Sequence, residues 1–139
     1  MIEHLPAYQI VLPLVAAPAC VLIRNKTVVR LLAIAVVWTG LAISLSLLAQ
    51  VRAYGPIHYN LGGWSPAVGI EYAIDHLNAY VLLIVSMIAA VVLPVGPGTA
   101  AENIPEGKEY LFYAAFLLCI TGLLGISITG DAFNVFVFL

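Results

Sequence analysis

The sequence predicts an all-α, polytopic membrane helix bundle: four transmembrane helices plus an incomplete fifth, with a short β-hairpin in an outside loop. Three observations carry this. The 139 residues are 63% hydrophobic and 9% charged, with a mean hydropathy of +1.09, whereas a soluble domain carries about 25% charged residues. Four apolar runs, about 5–23, 31–51, 77–95 and 110–128, lie near the ~20 residues that a bilayer core requires. Between the second and third runs, two alternating stretches flank a Gly-Gly-Trp-Ser-Pro turn, the pattern of a hairpin over about 56–74.

The first run, Leu5 to Ile23, holds Pro6, Pro13 and Pro18. Pro6 suits a first helical turn, and the other two each remove a backbone hydrogen bond and predict a kink. Neighbouring helices re-satisfy such freed carbonyls in a membrane. A cleaved signal peptide would need positive charge ahead of the run. Glu3 and His4 stand there instead, so a retained helix is expected.

A basic loop follows with Arg24, Lys26 and Arg30, and Leu31 to Val51 forms the second span. In the next loop Tyr54, Tyr59, Trp64 and Tyr72 suit a membrane interface, where amphipathic rings sit at headgroup level. Asp75 precedes the third span, Leu77 to Val95, and is placed to cap it. A Gly/Pro-rich, then charged, loop leads to the fourth span, Tyr110 to Ile128. There Thr121, Gly125 and Thr129 recur every four residues, a spacing of small residues that lets membrane helices approach closely. Gly130 and Asp131 read as a turn, and Ala132 to Leu139 as a helical stub. Those eight residues reach about 12 Å, short of a bilayer core of about 30 Å.

Three of the five positive residues lie in the first loop. The positive-inside rule then puts that loop in the cytoplasm, with the N-terminus, the hairpin and the Gly130–Asp131 turn outside.

Several function classes fall away. A net charge of −2 offers no basic patch for nucleic acid. His4, His58 and His76 show no metal-ligand spacing. Cys20 and Cys119 both lie within apolar runs and read as packing residues. No nucleophile motif, phosphate loop or dinucleotide fingerprint is present, so no catalytic, cofactor-binding or metal residue is assigned. Asn25-Lys26-Thr27 fits a glycosylation pattern but lies on the expected cytoplasmic side. Intramembrane ionisable groups usually mark function, yet none stands mid-span. Arg30, Asp75, Glu109 and Asp131 all lie at span ends. For Asp75 and Asp131 helix capping is the favoured reading, and a place at the mouth of an ion path is the alternative.

The strings "EHLPAYQIVLPLVAAPACVLIR", "GGWSPAVGIEYAIDHLNAYVLLIVSMIAAVVLP" and "YLFYAAFLLCITGLLGISITGDAFNVFVFL" resemble the N-terminal part of the D-type subunit of the multisubunit Mrp-type Na+/H+ antiporters. More distantly they resemble the proton-pumping antiporter-like subunits of respiratory complex I. The resemblance covers essentially the whole chain. It implies a protein of about fourteen helices in two inverted repeats, each with a broken helix, and ion movement along buried carboxylate, lysine and histidine groups near the midplane. It further implies a bacterial-type cell membrane and, as partners, the lipid bilayer, other Mrp-type antiporter subunits and the missing C-terminal part of its own subunit.

In that family the string matching "FNVFVFL" runs on into a proton-handling glutamate that lies beyond Leu139. The family's principal ion-carrying residues therefore have no counterpart here. The expectation is that residues 1–139 are the N-terminal transmembrane region of a larger antiporter-like subunit, as a truncated product, a partial sequence or half of a split subunit, and not transport-competent alone. Two alternatives stand beside it. One is a proton-translocating membrane subunit of an NADH–quinone oxidoreductase or hydrogenase complex. The other is a stand-alone structural or assembly protein using Thr121, Gly125 and Thr129 as a partner-helix surface.

Overall fold

A computed structural model describes residues 4–60, 71–100 and 104–128. Helix α1 spans Leu5–Ile23, α2 Lys26–Tyr54, α3 His76–Ala100 and α4 Glu109–Ile128, with strands β1 (Ile57–Asn60) and β2 (Glu71–Ile74) between α2 and α3. All four helices are long and apolar enough to cross a membrane. The chain is a polytopic helical bundle with a two-stranded hairpin. The stub 132–139, the Gly130–Asp131 turn, Thr129, and Trp64 with the rest of the hairpin tip lie outside the described residues.

α1 and α2 end where local chemistry changes. α1 continues through Pro13 and Pro18 and stops at Arg24, whose φ of 56° is left-handed and whose N–H donates to the Cys20 carbonyl. α2 starts at Lys26 rather than Leu31, because Asn25 caps it: Asn25 Oδ1 accepts from the N–H groups of Thr27 and Val28 at 3.1 and 3.4 Å. It runs on through Arg52 to Tyr54. Lysine and arginine are good helix formers whose stems let the charge reach water, so a charged span end is still helix. Gly55, at φ 88°, adopts a conformation that L side chains disfavour and closes α2. α3 continues past Val95 through Gly96 to Ala100, where the sequence reads as loop. A proline in a membrane helix does not by itself end it.

The helices meet through two layers of core. One joins Ala16, Ala17 and Cys20 of α1, Val29, Ala33 and Val37 of α2, Ala89, Ala90 and Leu93 of α3, and Tyr113, Ala114 and Leu117 of α4. Small residues dominate it, as expected where close backbone approach drives association. The other layer joins Ile10, Leu47, Leu82 and Leu124 to Tyr72 and Ile74 of the hairpin. Cys20 is fully buried, but Cys119 is exposed on the outer face of α4, so only the first of the two cysteines packs inside. The outer faces carry Leu22, Leu31, Trp38, Leu45, Leu77 and Val91, all more than half exposed. An apolar surface of that extent suits lipid tails rather than water. Hydroxyls of Thr39, Ser46, Thr121 and Ser127 donate to carbonyls one turn back at 2.7–3.0 Å, which satisfies them without water.

Candidate functional site

Three local arrangements are candidates: the hairpin end, the basic end and a polar cluster in the interior. At the hairpin end, β1 and β2 pair antiparallel with Ile57 opposite Ile74 and Tyr59 opposite Tyr72. Ile74 and Tyr72 are buried, seating the hairpin on the bundle. Tyr59 and Tyr72 stack, with ring centroids 6.4 Å apart. His4 Nδ1 lies 2.9 Å from the Tyr59 hydroxyl and ties the start of α1 to the hairpin. Burial, then the neighbouring Tyr59, pushes the Tyr72 phenol above its ordinary range.

Asp75 sits at the junction of β2 and α3. Its Oδ1 accepts from the Asn78 N–H at 2.8 Å, and its main-chain carbonyl accepts from Ala79. The Asn78 amide in turn donates to the Ala73 carbonyl at 2.8 Å. One short segment thus fastens strand to helix. The other ion-path or capping candidate, Asp131, lies outside the described residues.

At the opposite end Lys26 Nζ lies 3.3 Å from Glu109 Oε1, and the Arg24 guanidinium lies 6.0 Å from the Tyr110 ring centroid. Arg30 and Lys108 belong to the same end. These contacts join the start of α2 to the start of α4, and they gather positive charge at the end away from the hairpin.

The interior holds the feature that sequence reasoning missed. Gln9 Nε2 donates to Ser44 Oγ at 2.9 Å and to Ser86 Oγ at 3.2 Å, and the two serine oxygens are 2.7 Å apart. Three helices, α1, α2 and α3, therefore share one buried polar cluster. The signal lay in the sequence as one polar residue in each of three apolar runs, Gln9, Ser44 and Ser86, though the second run also carries Thr39, Ser46 and Gln50. Thr121 is also buried, its hydroxyl turned to the Leu117 carbonyl, and Gly125 is buried beside Leu124. Both face into this bundle rather than outward. Among the described residues the buried polar side chains are Gln9, Ser44, Ser86 and Thr121, all neutral, and no cluster of metal-ligating side chains occurs.

Four membrane-length helices around an interior whose described buried polar groups are neutral, with a hairpin across one end, define a multi-pass membrane protein. The chain is homologous to the D-type subunit of Mrp antiporters and to NADH–quinone oxidoreductase subunit N. It is 35% identical over 142 aligned residues to the NADH-quinone oxidoreductase subunit N of Desulforudis audaxviator, covering all of this chain and 28% of that protein. It is 28% identical to a Staphylococcus haemolyticus protein named as antiporter subunit mnhD2, over 99% of this chain and 27% of the relative. The chain thus spans little more than a quarter of the length of the curated relatives it matches. Among solved structures, a chain of the membrane-bound sulfane sulfur reductase, an archaeal respiratory membrane complex, superposes with a TM-score of 0.84 at 27% identity, over 96% of this chain and 27% of that one. A chain of the Mrp complex from Dietzia sp. DQ12-45-1b shares the fold, with a TM-score of 0.82 at 23% identity, over 99% of this chain and 25% of that one. No family model matches.

Proposed function

We propose that this chain forms the lead-in helices and outer hairpin of a cation/proton antiporter-like membrane subunit, in which a monovalent cation, Na+, is exchanged for H+. The observation that carries this is similarity along the whole chain to an antiporter subunit and to subunit N, at matching fold. The role of these helices is scaffolding. A proton or cation relay through a membrane needs ionisable groups at depth, and the buried polar groups described here are neutral. Other subunits of an Mrp-type complex, and further helices of the same subunit type, are its partners. The membrane is a bacterial-type cell membrane, with the hairpin and N-terminus outside. The gathering of Arg24, Lys26, Arg30 and Lys108 at the opposite end supports that orientation.

A second reading is supported by the 35% identity to subunit N: a proton-translocating subunit of an NADH–quinone oxidoreductase. Deleting the gene and assaying everted membrane vesicles separates the two. The antiporter reading expects loss of Na+-dependent proton exchange with NADH-driven proton pumping intact, and restoration of exchange by the returned gene. Loss of NADH-driven pumping with exchange intact supports the second reading and overturns the first.

A further inference from the structure

We propose that the Gln9–Ser44–Ser86 cluster is a binding site for one buried water molecule, which completes the hydrogen bonding of the Gln9 amide and holds α1, α2 and α3 together. Gln9 is 1% exposed, and its Oε1 is buried with no protein partner. Leaving such an acceptor bare in an apolar interior is costly. Turning the amide over does not cure this, because the freed Nε2 would then lack an acceptor instead.

The space for a partner exists. Gln9 and Ser86 line a small pocket walled by Pro13, Val37, Gly40 and Leu124, with room for about one water. Pro13 has no N–H to offer the main-chain carbonyl of Gln9, its usual acceptor one turn back. The side chains of Gln9 and Ser86, which both line the pocket, offer a water there the two polar partners it needs at least, and the Gln9 carbonyl freed by Pro13 is a further acceptor on the same turn of α1. Gly40 keeps the pocket open: a Cβ there would meet only Gln9 Nε2, at 4.0 Å.

The chemistry favours water over a cation. The pocket offers neutral oxygens and otherwise apolar walls, and no carboxylate lines it. A bound cation would be a buried charge without a counter-ion. This inference is independent of the transport reading.

The test is a double-substitution cycle on the full chain in lipid nanodiscs, read by thermal unfolding and by a high-resolution density map. Gly40→Ala places a methyl group in the pocket and expels the water. In the Gln9→Met background no unpaired amide remains. The expected result is a density peak within about 2.8 Å of Gln9 Oε1, absent in Gly40→Ala and unchanged when Na+ is replaced by choline. Gly40→Ala should lower the unfolding temperature in the native background and leave it unchanged or raised beside Gln9→Met. The helix-propensity gain of alanine is common to both backgrounds and cancels. An amide in contact with carbon alone, a peak that depends on Na+, or an equal shift from Gly40→Ala in both backgrounds would overturn the proposal.

Discussion

At the residue scale, Asp75 is the acid closest to a decision between capping and transport. Its carboxylate accepts the Asn78 N–H at 2.8 Å, a bond that an asparagine side chain can also make. Asp75→Ala is expected to lower stability by about 1 kcal/mol, the ordinary value of an N-cap, while Asp75→Asn leaves it within a few tenths. Unfolding in detergent micelles measures both. If Asp75→Asn abolished exchange by the assembled complex at unchanged stability, the carboxylate charge would belong to the ion path. Gln9, Ser44 and Ser86 show why single residues were harder to read than spans. A polar residue within an apolar run has no meaning until three helices bring three of them within 3.2 Å of one another.

At the element scale, the four apolar runs were legible because hydropathy reports the solvent directly. Their ends were less so. Lys26 and Arg30 looked like loop because they are charged, yet both belong to α2, where Asn25 supplies the start. Gly96 looked like a helix end, yet α3 passes through it. The hairpin was legible from alternation, since Tyr72 and Ile74 fall on the buried face while β1 and β2 pair in one register. Thr121 and Gly125 are buried in α4, but the small side chains that make the larger seam, Ala17, Ala33, Ala89 and Ala114, were not legible. Alanine is common in any membrane helix, and spacing alone does not say which alanines face a neighbour. Ala33, with no exposed surface, tests that seam. Ala33→Leu is expected to cost about 1–3 kcal/mol through overpacking, measured by unfolding in micelles, whereas Leu31→Ala on the outer face should cost little.

Orientation belongs to the whole molecule, and its test uses the two ends. Tyr54, at 89% exposure, stands at the hairpin end, and Glu106 is exposed at the basic end. In a Cys119→Ser background, Tyr54→Cys should react with a membrane-impermeant maleimide on intact cells, and Glu106→Cys only after lysis. The reverse pattern would place the basic end outside. The resemblance to Mrp-type antiporter subunits was legible from whole strings of sequence, and the similarity to an antiporter subunit mnhD2 agrees with it. The reach of the chain along its relatives, about 27% of their length, explains why the fold could be read more fully than the chemistry. The described interior is a neutral scaffold, and ion relays need charge.

The described helices enclose only neutral buried polar groups, and the proposed scaffolding role expects that the 139-residue chain does not carry ions by itself. That expectation is tested most directly by reconstituting the chain in vesicles loaded with a pH-sensitive dye and imposing a sodium gradient. The expected result is proton flux equal to that of empty vesicles. Sodium-dependent proton flux above that background would contradict it.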